Sequence, residues 1–455
     1  VSSNRSAKTL SVVLGAFREA AKNANTKELD SIESDLLYSS SAVKTTVILI
    51  AALTLEAGLL GWPRFASHQE ISTRIQQVYV ANSIAYLPYL IAIYWLGLQG
   101  RSTGWEKFVL LSGLVLRLGF YFAHPLLSDD LARYRWEAQL WESGGNPYFS
   151  TPRDTGVDTA TTPGPDARSV YGPWLMLANW AAWKVGQSKL SGALGELLLM
   201  CAVWIWSRRQ HLPQWRFAAY AWCPLVIVEC WQEGHADSWL VLFLFTSLAL
   251  IAGGRLFPAW LFWMLSILTK WWPALLLPWY LRLAWNWTGA LILALAGTAF
   301  VVLPGLEFWT ERFRFTTGFL GGWSNNAYLA RLLTNKWQAL GIICLGAATL
   351  PWWRNAPMRV ALYFSTFLLA FSANIHPWYL VWFLPFACVA AGRISPWLLT
   401  CALSPLFYEA VPRWKLLGIW EEDGLLRIWI WSAVSLFSIF LAFEEYFIRH
   451  RARSR

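Results

Sequence analysis

The sequence predicts an all-α, polytopic integral membrane protein of about 12–16 transmembrane helices. It also predicts a long first outer loop that carries an interfacial helix. Three observations lead there. The 455 residues are 56% hydrophobic and only 14% charged, with positive mean hydropathy, whereas soluble chains carry about a quarter charged residues. The apolar residues come in runs near the length of about 20 residues that crosses a bilayer. Finally, the net charge of +10 is scattered along the chain between those runs. Positive-inside topology explains that scatter better than a nucleic-acid surface would.

Taken in order, residues 1–42 are polar and mixed in charge, without the apolar core of a signal peptide. They are read as a cytoplasmic N-terminal segment. A single transmembrane domain, 43–447, follows and ends in a basic cytoplasmic tail, 448–455. Its first spans fall at 44–62, 78–98 and 108–127, and the basic connector at 101–107 belongs inside. Three crossings then place the 128–173 loop outside. The apolar run 174–185 is too short to cross and is read as interfacial or re-entrant. Further spans are expected at 190–207, 216–231, 238–252, 256–271, 273–283, 288–305, 336–353, 357–375, 379–392, 395–410 and 427–447. This register puts Arg208, Arg209, Arg255, Arg282, Arg354 and Arg393 at the inner face. None of the six cysteines lies in a CxxC pair, so neither a disulfide nor a zinc site is expected. The 33 tryptophans exceed what membrane anchoring needs. Interfacial belts are one use for them, and stacking on pyranose rings is another.

Every dense polar cluster falls on the outer side. The stretch Ser128 to Tyr148 reads SDDLARYRWEAQLWESGGNPY. An acidic pair, Asp129 and Asp130, opens a helix whose Leu131, Tyr134, Ala138 and Trp141 share a face, and Gly144-Gly145 ends it. An acidic pair is also an ordinary helix start, because carboxylates suit the exposed N–H groups there. The turn Glu229-Cys-Trp-Gln-Glu233-Gly-His235-Ala-Asp237 packs four ionisable side chains into one short connection. Such groups are costly beside a membrane unless they face a polar cavity, and Gly234 is expected to break any helix through them. Smaller clusters are Asn374-Ile-His376-Pro-Trp-Tyr379, Gly321-Gly-Trp323-Ser-Asn325-Asn326, and Lys270-Trp-Trp-Pro273. Within spans, Glu56 and Arg117 stand as isolated charges expected to face the bundle interior. No GxxxxGK[ST], GxSxG or HExxH pattern is present, which removes a nucleotide-driven pump, the common lipase design and zinc proteolysis.

The 128–148 stretch resembles the outer-loop signature of GT-C superfamily glycosyltransferases that use polyprenyl-phosphate sugars, in their bacterial mannosyltransferase-like branch. The residues that carry the likeness are Ser128, Asp129, Asp130, Arg133, Tyr134, Trp136, Glu137, Gly145, Asn146, Pro147 and Tyr148, with Ala138 where a glycine is common. Tyr171-Gly172-Pro173, Glu233-Gly-His235-Ala-Asp237, Lys270 with Pro273, and His376-Pro-Trp-Tyr379 follow in matching order. The likeness covers about residues 108–390.

The resemblance implies a GT-C-like fold in a bacterial inner (plasma) membrane, with 128–173 as the catalytic loop facing the periplasm or exterior and both termini cytoplasmic. It implies transfer, with inversion, of a monosaccharide such as mannose or another hexose from a polyprenyl-phosphate donor to a lipid, glycan or protein acceptor. Asp129 or Asp130 would take the acceptor proton, and analogy with acidic pairs elsewhere in the superfamily puts Asp129 first. Arg133, Tyr134, His235, Asp237, Lys270 and His376 would hold the donor and its phosphate. Glu233, Trp323, Asn325 and Tyr171 would meet the acceptor or the sugar. No cofactor is assigned with certainty. A divalent cation, Mg or Mn, shared by Asp129 and Asp130 stays open. The alternatives are a glycolipid flippase or transporter, and a polyprenyl-diphosphate glycan ligase or polymerase.

Overall fold

The computed structural model describes residues 26–65, 71–99, 104–156, 162–283, 287, 289, 291–293, 295, 325–333, 335–353, 356–390, 392 and 394–453. The chain divides into two compact units, 1–54 and 55–455. The candidate site belongs wholly to the second. Among the described residues every element is helical and no strand forms. An isolated backbone bridge joins Asn325 to Asn374.

The helices are α1 (Thr26–Phe65), α2 (Ile71–Leu98), α3 (Glu106–Tyr121), α4 (Asp130–Glu142), α5 (Pro173–Lys184), α6 (Leu190–Arg209) and α7 (Gln214–Ala221). A π-helical turn, Ile227–Gln232, precedes α8 (Ser238–Ala252) and α9 (Leu256–Thr269). Then come α10 (Leu277–Leu283), α11 (Lys336–Thr349), α12 (Pro357–Ala370), α13 (Leu384–Ala390), α14 (Ser395–Leu403), α15 (Val411–Leu417) and α16 (Gly424–Arg453).

Four of the described segments are long and apolar enough to cross a membrane: Val43–Gly61, Thr73–Leu98, Leu190–Arg209 and Gly424–Glu444. Apolar side chains cover their outward faces, such as Leu87, Ile91 and Tyr94 on α2 and Leu436, Phe440 and Phe443 on α16. Several other apolar runs are not continuous helices. The run 216–231 stops at Ala221 and restarts at Pro224. The run through 256–283 breaks at Lys270, whose backbone is extended, and Pro273 follows in a short turn. The run 395–410 ends its α-helix at Leu403, just before Pro405. Proline supplies no N–H to the preceding turn, so each break sits where the helical ladder would lose a bond. Most of the expected span 288–305 lies outside the described residues, as does the leader up to residue 25.

The core is built on α8, which packs against both α6 and α9. Ten of the fifteen residues of α8 are buried, so its apolar composition reflects a largely interior position. Tryptophan divides in the same way. Trp222, Trp260, Trp263 and Trp279 are wholly enclosed, while Trp337, Trp352 and Trp429 are exposed.

Arg117, expected to be isolated, is not. Its Nε and Nη2 donate to Glu196 of α6 at 2.6 and 2.7 Å, and its Nη1 donates to the backbone of Gly113 and Ala221. Trp231 Nε1 donates to the same Glu196 carboxylate at 2.7 Å. Arg117 and Glu196 lie 79 residues apart, beyond the reach of any local pattern. Glu56 is also fully enclosed, with no hydrogen bond to either carboxyl oxygen.

Candidate active site

Behind α3 the chain runs in loop to the acidic pair. The backbone N–H groups of Leu126, Leu127 and Ser128 all point at the Glu233 carboxylate, at 3.0 to 3.1 Å. A carboxylate held by three successive amides fixes that backbone much as an anion in a nest does. Glu233 therefore sits buried beneath the loop, and the role the structure gives it is to hold the backbone that leads into α4.

Asp129 and Asp130 diverge from there. Asp129 occupies the N-cap of α4, and its carboxylate makes no cap hydrogen bond. It pairs instead with the Lys415 ammonium on α15. Asp130 opens α4 and turns inward, with 24% of its side chain accessible. Its carboxyl is pushed up to about 7, first by burial and then by Asp237 and Asp129, against the pull of Lys270 and Arg133. Asp130 thus keeps accessible surface beside the buried His235, and the space next to it, bounded by the part-exposed Asp130, Lys270 and His376, is termed the recess.

The Glu229–Asp237 turn supplies the back wall. Gly234 adopts a left-handed conformation (φ +83°) and breaks the helix, as its lack of a Cβ allows. The three carboxylates consequently take three different partners. Glu229 accepts from Tyr408 Oη at 2.7 Å, and Glu233 takes the loop amides. Asp237 Oδ1 accepts from both Lys270 Nζ and Trp382 Nε1, each at 2.7 Å. His235 is fully enclosed, its ring lying parallel to Trp378 at 3.8 Å. Its Nδ1 stands 3.6 Å from Asp130 Oδ2 and its Nε2 stands 3.6 Å from Glu229 Oε2. Burial, then His376 and Lys270, hold its pKa well below the usual imidazole value.

The end of α9 positions the cation. Lys270 leaves the helix in extended backbone, and its ammonium lies 4.5 Å above the Tyr379 ring and 5.1 Å above Trp382. A cation against two aromatic faces and one carboxylate is held in place while part of it stays accessible. The Tyr171-Gly172-Pro173 element docks beside it, Gly172 N donating to Thr269 O at 3.0 Å. A Cβ on Gly172 would stand 2.0 Å from Leu268 O. Gly172→Ala is therefore expected to lower the thermal midpoint through an overpacking penalty of about 1–3 kcal/mol. Thermal unfolding of the purified variant checks this, and an unchanged midpoint would show that the turn can move aside.

His376 closes the recess on the far side. Asn325 and Asn374 bridge their backbones there, and the Asn325 amide donates to His376 Nδ1 at 3.0 Å. Burial first, then Lys270, lower the His376 ring to about 3. The ring also stacks on Trp378, at 4.3 Å.

The residues expected to hold the donor thus divide by exposure. Lys270 and His376 are part-exposed, as is the expected base Asp130, while His235 and Asp237 are buried. Arg133 is engaged elsewhere. It donates to Glu137 Oε1, Gly164 O and Ala167 O and lies over Trp136, stapling the 164–167 segment to α4. Tyr134 and Tyr171 meet edge to face at 5.1 Å, both buried. Burial lifts both phenols above their ordinary value, and the Asp130 carboxylate adds to the shift. Trp323 lies outside the described residues.

Sequence reading did not single out Lys415, Trp382 or Tyr408. No local signal ties them to the acidic pair, whose loop is 286 residues from Lys415. As for a shared cation, Asp129 faces an ammonium and Asp130 faces an imidazole. Among the described residues no group of three His, Cys, Asp or Glu side chains is placed to hold a metal ion. No protein-family model matches the chain, and no curated protein or solved structure matches it either.

Proposed function

We propose that this chain is a polytopic membrane glycosyltransferase of about 12–16 crossings, with both termini cytoplasmic and the recess opening to the periplasm or exterior. It moves one monosaccharide, such as mannose or another hexose, from a polyprenyl-phosphate donor to a lipid, glycan or protein acceptor. The observation that carries this reading is the pairing of Asp130, a partly accessible carboxyl whose pKa is about 7, with the clamped Lys270 ammonium across the same recess. A glycosyl phosphate brings its own leaving group. The protein must supply a base for the acceptor hydroxyl and positive charge beside the departing phosphate. Asp130 takes the first task and Lys270 the second, with Tyr379 and His376 as aromatic walls for the sugar. Direct displacement by the acceptor inverts the anomeric centre.

The test uses the purified chain in liposomes with a synthetic polyprenyl-phosphate mannose, radiolabelled in the sugar, and a bacterial membrane extract as acceptor source. Label is expected in a new glycosidic product. Donor crossing the bilayer with no such product would favour a transporter and overturn the reading. Orientation is tested separately in a cysteine-free background. Single cysteines placed in the 150–170 loop or beside Asn325 are expected to label in intact cells, and one at Arg209 only after permeabilisation. The reverse pattern would turn the recess to the cytoplasm.

A further inference from the structure

The geometry points to a proton store behind the recess: His235 and Glu229 hold the proton that Asp130 takes from the acceptor hydroxyl until product leaves. The inference rests on the assignment of Asp130 as that base. Its first support is spacing. Asp130 Oδ2, the two His235 ring nitrogens and Glu229 Oε2 form a line with gaps of 3.6 Å on either side of the ring. Both ring nitrogens are enclosed and neither has a hydrogen-bond partner. Buried polar atoms are nearly always bonded, so two open nitrogens on one ring call for a use. Each gap exceeds an ordinary hydrogen bond by about half an ångström, which a small rotation of the ring or of either carboxylate closes. Stacking on Trp378 keeps the ring in plane during that rotation.

A second support lies beyond the ring. Glu229 comes from the π-helical turn, a departure from regular helix often found at functional sites. Its Oε2 already accepts from Tyr408. Behind it is a cavity of about 10 Å³ lined by Asn82, Tyr86, Glu229, Ser404 and Tyr408 among others, about the room needed for one water.

The bond changes balance. The acceptor O–H breaks as its oxygen bonds to the sugar, and the lipid phosphate departs with the electron pair of the broken C–O bond. The proton passes to Asp130. With substrates covering the recess, that proton has no route to bulk water. Asp130 then gives it to His235 Nδ1 while His235 Nε2–H moves to Glu229 Oε2, so the ring stays neutral throughout. Neutrality matters because Lys270 and His376 both disfavour an imidazolium there. After product leaves, the same transfers run backward, and Asp130 releases the proton through its accessible side. The charged and titratable groups facing this line are Lys270, Asp237, Asp129, Arg133, Tyr134, Tyr171 and Tyr379 around Asp130. Lys270 and His376 flank His235, while Tyr408, Tyr86 and Cys230 flank Glu229.

The experiment measures transfer from the same synthetic donor, between pH 5 and 9, by His235→Ala, His235→Phe and Glu229→Gln. His235→Ala is expected to lose at least about 10-fold in kcat with little change in donor KM, and to recover part of it when free imidazole is added. Glu229→Gln keeps the shape, is expected to show a similar loss, and gains nothing from imidazole. His235→Phe keeps the packing on Trp378 without ring nitrogens, and is expected to stay impaired. Full activity in His235→Phe, or wild-type kcat and pH profiles in both His235→Ala and Glu229→Gln, would overturn the store while leaving the transferase reading intact. Absence of transfer by the wild-type chain would instead remove the base, and the store with it.

Discussion

Replacing Asp130 with asparagine is expected to slow sugar transfer at least about 100-fold, the range typical of a positioned base. The exchange keeps volume and removes both charge and basicity. Donor affinity is expected to survive, because Asp130 acts on the acceptor proton and Lys270 faces the phosphate. The pH dependence gives a second readout. With the Asp130 carboxyl near 7, the base is protonated below that value and free above it. The wild-type rate is therefore expected to rise with pH through about 7 and then level, and this limb is expected to vanish in the variant. Asp129→Asn makes the contrast. Its carboxylate pairs with Lys415 in a part-exposed setting, where such a pair contributes roughly 0–1 kcal/mol. Its loss of rate is expected to be much the smaller. Near-normal transfer by Asp130→Asn, in preparations matched for folded protein, would remove the chemical assignment.

The second large effect concerns stability. Glu196→Ala is expected to destabilise the protein by about 3–5 kcal/mol, because it strands the Arg117 guanidinium without a counter-charge. Both side chains are wholly enclosed, so no solvent can take the place of the lost carboxylate. The Trp231 indole loses its acceptor at the same time. Trp231 belongs to the π-helical turn that leads into Glu233 and His235, so the damage is expected to reach the back wall of the recess. The double variant Arg117→Met with Glu196→Met leaves no buried charge behind and is expected to recover much of the loss. Monodispersity after heating, followed by size exclusion in detergent, reads both variants. An unchanged midpoint in Glu196→Ala would mean that Arg117 finds another partner.

The features legible from sequence are those that local chemistry decides. Gly144 is left-handed directly after α4, where a residue without a Cβ ends a helix readily. The helix starts at the acidic pair, where carboxylates suit the positive end of a first turn, although the Asp129 side chain makes no cap hydrogen bond and Asp130 N donates to Ser128 Oγ instead. Gly234 breaks the 229–237 turn. The apolar composition of the runs at 190–207 and 427–447 was enough to place helices there, since each supplies all its own hydrogen bonds.

Tertiary structure alone decided which charge meets which. Asp129 and Asp130 are adjacent and chemically identical, so nothing local separates the one beside Lys415 from the one beside His235. Glu233 and Glu229 belong to one short turn, yet one holds a loop 107 residues back and the other a tyrosine 179 residues on. Arg133 had the composition of a phosphate ligand and instead staples its own loop. Apolar runs were ambiguous for the same reason, because a helix buried by protein and one facing lipid need similar side chains. Two thirds of the α8 residues are buried while α16 presents its apolar face outward. A run of sequence records how greasy a segment is. Only packing records what surrounds it.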